Sequence, residues 1–167
     1  FRPFALVVAL CAFLLSPAPA HAERQWIAEG PIPSRYEIAI TPDAEAGTFA
    51  GQARIVVNAE ALAASVTMNA LDLTIARATI DGAAAQFATN AEAQTLTLTA
   101  RRPLRAGRHV IVVAYSGKIY DDAYGLFRVS YQADGQTKRA LATQFEPGDA
   151  RRLAPMWDQP NRRAVFS

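Results

Sequence analysis

Apolar side chains return at every second position over most of this chain, and that period decides what it can fold into. Tyr36, Ile38 and Ile40 alternate with Glu37 and Ala39, and Phe49, Gly51, Ala53, Ile55 and Val57 alternate with a face carrying Gln52 and Arg54. Leu71, Leu73 and Ile75 alternate with Asp72 and Thr74, while Leu96 and Leu98 stand between threonines. A strand turns successive side chains to opposite faces, so this pattern predicts strands with one face on a core and the other in water. His109 to Tyr115 is nearly continuous apolar and β-branched, which predicts a central strand covered on both faces. Leu126–Gln132 and Gln136–Phe145 flank Asp134 and Gly135 and predict a hairpin. Asp81 and Gly82 supply a second positive-φ turn; Thr41-Pro42-Asp43 and Arg105-Ala106-Gly107 mark further loops. Beyond one possible turn at Asp149–Leu153, no stretch carries a helical period. The expected fold is all-β: two packed, largely antiparallel sheets of roughly nine or ten strands in a saddle-like sandwich, with an irregular carboxy-terminal loop segment.

The amino terminus reads differently. Phe4–Leu15 is an unbroken apolar run of 12, with Arg2 before it and Ser16, Pro17 and Pro19 after it, closing on Ala20-His21-Ala22. Small residues at the first and third of those positions suit the narrow pocket of a signal peptidase. As a helix the run reaches only about 18 Å, short of a hydrocarbon core of roughly 30 Å, so a membrane anchor is not expected. Residues 1–22 are therefore expected to be a cleaved secretory signal, and residues 23–167 an exported domain, periplasmic or extracellular. The chain has no initiator methionine and stops at Val165-Phe166-Ser167 without a cap or polar tail, as expected of a piece of a longer product.

Composition enters through what it excludes. Basic and acidic side chains number 17 and 15, too even a balance for a nucleic-acid groove. Both Cys11 and His21 lie in the expected signal, so the exported part has no thiol and one histidine, His109. That rules out a disulfide-stapled scaffold and leaves too few ligands for a self-contained zinc centre.

From Thr143 onward the chain turns irregular, aromatic and charge-dense, broken by Pro147, Pro155 and Pro160. Here the residues become specific. Gly125-Leu126-Phe127-Arg128-Val129-Ser130-Tyr131, then Thr143-Gln144-Phe145-Glu146 followed by Asp149-Ala150-Arg151, then Pro155-Met156-Trp157-Asp158-Gln159-Pro160 resemble, in order and spacing, motifs of the aminopeptidase N family of gluzincin-type zinc metallopeptidases. Pro33, Tyr36 and Ile38 resemble its opening motif, and Phe49 with Gly51 its second strand. The resemblance covers about residues 30 to 167. Ala154, Met156 and Gln159 depart from the usual Phe, Cys and Glu, and Phe127 stands where Tyr is common; these positions read as packing and loop closure. The family's Gly-x-Met-Glu-Asn loop and His-Glu-x-x-His motif are absent from the 167 residues.

The resemblance implies that this is the N-terminal β domain of a zinc aminopeptidase, cut before its catalytic domain. The zinc and the hydrolytic step would belong to that downstream domain of the same chain, and the 167 residues alone are expected to be inert. It further implies that Gln144 and Glu146 bind the free amino group of a peptide substrate. Physical chemistry agrees with such a pair. Positions i and i+2 of a strand share a face, with side chains based roughly 7 Å apart. One offers a carbonyl and the other a carboxylate, acceptors for a donor-only ammonium. Only a free N-terminus carries that charge.

The remaining candidates read as structural. Arg151 and Asp158 suit an ion pair that fixes a loop, Trp157 suits a core, His109 suits a satisfied histidine on an apolar strand, and Asp121-Asp122 suits a turn better than a calcium loop. Two other classes share the all-β pattern and the leader: a secreted β-sandwich module binding sugar or protein, and a pseudo-enzyme scaffold that has lost its zinc ligands. A His-Glu-x-x-His motif in the following few hundred residues separates them from the enzyme.

Overall fold

The computed structural model describes residues 26–27 and 30–167; the expected signal, residues 1–22, lies outside the described residues. Among them run eleven strands and a single 3₁₀ turn. The strands are β1 (Ile32–Asp43), β2 (Thr48–Ala59), β3 (Ala63–Asn69), β4 (Thr74–Ile80), β5 (Ala83–Ala84), β6 (Gln86–Asn90), β7 (Thr95–Leu104), β8 (Gly107–Lys118), β9 (Gly125–Ala133), β10 (Gln136–Gln144) and β11 (Val165–Phe166). The 3₁₀ turn is Ala150–Arg152. No helix among the described residues is long and apolar enough to cross a membrane.

The strands form three sheets, not two. Six lie in the order β11-β1-β2-β8-β4-β5, three in the order β3-β7-β6, and β9 with β10 makes a two-stranded ribbon of its own. Every pairing is antiparallel except β1 with β11. The alternation that predicted the strands sorts their faces. Tyr36, Phe49, Ala53, Ile55, Val57, Ile111, Val113 and Tyr115 of the six-stranded sheet and Val66, Met68, Leu96 and Leu98 of the three-stranded sheet join one buried apolar cluster. Burying that surface between two sheets is what holds the domain, at about 25 cal/mol per Å² removed from water.

Three details differ from the sequence reading. β8 is central, between β2 and β4, but Val110, Val112 and Ala114 on its second face are only half-buried, because the six-stranded sheet packs on one side alone. Leu71–Leu73 is loop rather than strand, and Asp72 sits at φ 56°, a conformation incompatible with a ladder. The β9–β10 hairpin is buried only at its base, at Gly125 and Leu126, and pairs with neither larger sheet.

Both Asp-Gly pairs close two-residue hairpins. Asp81 and Gly82 have φ of 51° and 79°, and Asp134 and Gly135 have 53° and 71°, the positive values such a turn requires.

Candidate functional site

Between β10 and β11 the chain forms no strand, and side chains hold it, together with a backbone bridge from Asn69 to Met156. β10 ends at Gln144, where the backbone leaves its pairing with Gly125. Phe145 to Asp149 form a turn closed by the Asp149 N–H donating to the Phe145 carbonyl at 2.9 Å. Pro147 and Gly148 lie inside it, and proline brings no N–H to a ladder. The strand geometry expected for Gln144 and Glu146 therefore holds only for the first of them: Glu146 stands on the turn. Both side chains are exposed. The Gln144 Oε1 accepts the Phe145 N–H at 2.9 Å and the Glu146 N–H at 3.4 Å, so its carbonyl braces the start of the turn. Among the described residues no hydrogen bond or ion pair engages the Glu146 carboxylate.

Behind the turn lies a polar network that sequence reasoning missed. Asp149 Oδ1 accepts from Arg152 Nε at 2.7 Å. The Arg152 Nη1 donates to Asp72 Oδ2 at 2.6 Å and to the Tyr120 hydroxyl oxygen at 3.1 Å, while that hydroxyl donates to Asp72 at 2.7 Å. Lys118 Nζ stands 3.2 Å from the same Asp72 oxygen and 4.7 Å from the Tyr120 ring centre. The Arg152 guanidinium lies 5.4 Å from the Tyr120 ring and 5.7 Å from that of Tyr124, within cation–π range. Partial burial opposes ionisation of Asp72, but hydrogen bonds from Tyr120 and Lys118 outweigh it and hold the carboxyl below the usual range. Burial, with the Asp72 carboxylate accepting its proton, pushes the Tyr120 hydroxyl up to about 12. The network therefore ties the turn to Asp72 and to Tyr120.

The residue before Arg152 is anchored inward. Arg151 is 3% exposed. Its Nε donates to Asp158 Oδ2 at 3.0 Å, its Nη1 to Gln94 Oε1 at 3.0 Å, and its Nη2 to the Asp158 carbonyl at 3.4 Å. Asn69, wholly buried at the end of β3, exchanges backbone hydrogen bonds with Met156 and accepts the Asp158 N–H on Oδ1 at 3.1 Å. The Trp157 N–H donates to the Tyr36 hydroxyl at 3.1 Å, and its ring is buried. Arg151, Asp158 and Trp157 are thus the structural residues the sequence suggested. Met156 and Ala154 are buried in the core, and Gln159 is buried beside them.

His109 and the aspartate pair are also placed. His109 Nδ1 lies 2.6 Å from Asp81 Oδ2 and Nε2 lies 2.8 Å from the Arg105 carbonyl. Asp121 takes the Arg128 guanidinium, and the Asp122 carbonyl accepts the Tyr124 N–H in a turn. Among the described residues no three His, Cys, Asp or Glu side chains converge as a metal would need. The donors present do not fit a zinc ion, since both nitrogens of the histidine are spent on Asp81 and a carbonyl.

The described residues thus form an all-β domain that carries a turn braced by polar side chains. Residues 32–167 match the family model described as the peptidase M1 N-terminal domain, and the chain belongs to that family. It is 36% identical over 137 residues to an aminopeptidase M1-D of Oryza sativa subsp. japonica, covering 80% of this chain and 16% of the rice protein. It is 37% identical over 137 residues to an aminopeptidase N of Acetobacter pasteurianus, covering 81% of this chain and 39% of that protein. An aminopeptidase M1 of Arabidopsis thaliana is 32% identical over 144 residues, covering 81% of this chain and 16% of the plant protein. The chain spans well under half the length of these relatives.

Proposed function

We propose that this domain is the N-terminal, substrate-facing part of an exported, gluzincin-type zinc aminopeptidase, periplasmic or extracellular, and that Glu146 holds the free α-ammonium of the peptide whose first residue is removed. The observation that carries this reading is an exposed carboxylate without a partner among the described residues, on a turn braced on both flanks. Gln144 holds one flank through its carbonyl, and the Asp149–Arg152–Asp72 chain holds the other. A surface glutamate on a loose loop would lose entropy on capturing a cation, whereas one on a fixed turn has less to lose. Gln144 contributes a second acceptor when the ammonium takes the place of the longer contact, the Glu146 N–H at 3.4 Å. Names and family agree with the reading: the relatives are called aminopeptidases.

The donors described here do not suit zinc, so the metal and the hydrolytic step are assigned to residues outside them, in the downstream catalytic domain of the same chain. What this chain's residues do is bind and orient. An ammonium seated on Glu146 places the first peptide bond at a fixed distance from the turn, and an internal peptide bond, lacking the charge, gains nothing there.

The test is Glu146→Ala and Glu146→Gln in the full-length protein, assayed on an aminoacyl-arylamide. A charge-assisted hydrogen bond lost at the transition state is worth roughly 1.5–3 kcal/mol, so kcat/KM should fall about tenfold to over a hundredfold in both variants. A kcat/KM within about twofold of wild type would exclude the amine role.

A further inference from the structure

The opposite edge of the sandwich holds a second feature that the amine-binding turn does not use. Along β7, Leu104 pairs with Ala63 and Thr99 pairs with Ser65. Ala100, Arg101, Arg102 and Pro103 therefore stand against the single residue Ala64, and β7 arches out of its ladder. A bulge of this kind re-aims side chains that a regular strand would send to alternate faces. Here it brings Arg101 and Arg102 to the same groove, of about 990 Å³, with Arg105 from the following loop.

The far wall of the groove is the terminal strand of the six-stranded sheet, β5, reached through the Asp81-Gly82 turn. The Ala85 N–H is used inward, on the Ala78 carbonyl. By the alternation of an antiparallel strand, Ala84 turns its N–H and C=O outward along the unpaired edge. Leu62, 71% exposed, stands at the rim.

Charge within the groove is one-sided. Among the described residues, none of the three guanidinium groups has an ion-pair or hydrogen-bond partner. Asp81, the carboxylate that lines the groove, is already engaged: Oδ2 by His109 Nδ1 at 2.6 Å and Oδ1 by the Val110 N–H at 2.8 Å. His109 in turn fixes the Arg105 carbonyl, and so the loop that carries that arginine.

We propose that this groove is a docking site for an extended acidic segment of a partner polypeptide. Guanidinium forks recognise carboxylates through paired N–H donors, the outward backbone of Ala84 suits an added strand, and Leu62 offers a contact for an apolar side chain between the acids. The groove is concave and edged by a strand, which suits a peptide better than the plane of a membrane.

The experiment uses the full-length protein and a heptapeptide of alternating glutamate and valine, labelled with fluorescein on its amino terminus so that it has no free amine for Glu146. Anisotropy at low salt should report saturable binding, weakened about tenfold or more in R101Q/R102Q/R105Q, as expected when charge-assisted contacts are removed. A lysine-for-glutamate peptide should not bind, and proline in place of each valine should weaken binding because it removes the strand's donors. All three arginines are exposed, so the variant should keep the wild-type circular dichroism spectrum. Absent or non-saturable binding, unchanged affinity in the triple variant, or binding of phosphatidylglycerol vesicles or single-stranded DNA in place of the peptide would each overturn the proposal.

Discussion

The sandwich of β1–β8 and the segment Phe145–Gln159 are held by different physics. In the sandwich, backbone groups pair in ladders and the buried face is almost wholly apolar, so stabilisation is spread over many interchangeable contacts. In the segment, a few side chains do the work of a ladder: Arg151, Asn69, the Tyr36 hydroxyl and Arg152 each satisfy groups that no strand partner reaches. The sandwich should therefore tolerate conservative changes of shape, and the segment should not tolerate conservative changes of chemistry.

The sharpest way to break this contrast is a pair of mild substitutions. Leu98→Met conserves volume in the sandwich core and should cost less than about 1.5 kcal/mol. Arg151→Lys keeps the charge but has one nitrogen where three now reach Asp158 and Gln94. A buried pair left half-satisfied typically costs about 3–5 kcal/mol when broken, and Lys should forfeit at least about 2 of it. Denaturant midpoints of the two variants give the comparison directly. Equal losses would mean that the segment is no more exacting than the core.

A second prediction probes the sandwich where it is least forgiving. Gly51 faces Tyr115 across the β2–β8 ladder, and Phe49 faces Gly117 in the same way. A Cβ at residue 51 would stand 2.5 Å from Tyr115 Cε2, and one at residue 117 would overlap the Phe49 ring. The two rings meet edge to face with centroids 6.3 Å apart, so neither can retreat without disturbing the other. Gly51→Ala should destabilise by about 1–3 kcal/mol, the usual cost of overpacking. The unfolding transition measures it, and a neutral result would show that this part of the core gives way more readily than its packing implies.

The same division decides what could be read in advance. Period two identified the strands around Tyr36, Ile55 and Leu96, because burial on one face writes itself into alternate residues. Asp81-Gly82 and Asp134-Gly135 were legible because positive φ restricts composition. Arg151 with Asp158 and buried Trp157 were legible as structural. Three things were not. The partition into three sheets depends on which strands meet across long stretches of chain, and the β9–β10 ribbon looks the same locally whether or not it joins a sheet. Asp72 follows the strand alternation yet lies in a loop, because the left-handed conformation there is set by the contacts it makes, with Tyr120 48 residues away and Arg152 80 residues away. At the candidate site, the spacing of Gln144 and Glu146 predicted one shared strand face, and β10 ends at Gln144. The shared strand does not extend to Glu146, since Pro147 and Gly148 follow it directly and the chain turns there.

The smallest expected effect lies at the join between β8 and the Asp81 turn, where the sandwich borrows the device of the segment. Asp81 Oδ2 and the Arg105 carbonyl are both acceptors, so each His109 nitrogen must carry a proton to satisfy them. The hydrogen bond to Asp81, supported by that to Arg105, raises the imidazole above the ordinary histidine value of about 6.5. Partial burial opposes ionisation of Asp81, but hydrogen bonds from His109 and the Val110 N–H outweigh it and lower its carboxyl below about 3.8. A raised histidine stabilises fully below about pH 6.5 and loses that contribution as pH rises through its folded value. A lowered aspartate stabilises fully above about pH 3.8 and loses its contribution as pH falls through its own. The clip is therefore worth most between about pH 4 and 6.5. His109→Asn should be less stable than wild type in that window, with the gap narrowing toward pH 9 and again toward pH 3. Because Asp81 is half exposed, the gap should be small beside that of Arg151→Lys. Thermal midpoints across that range measure it; a gap that stays constant or widens above pH 7 would mean that the histidine is held neutral and that shape alone secures this corner of the sandwich.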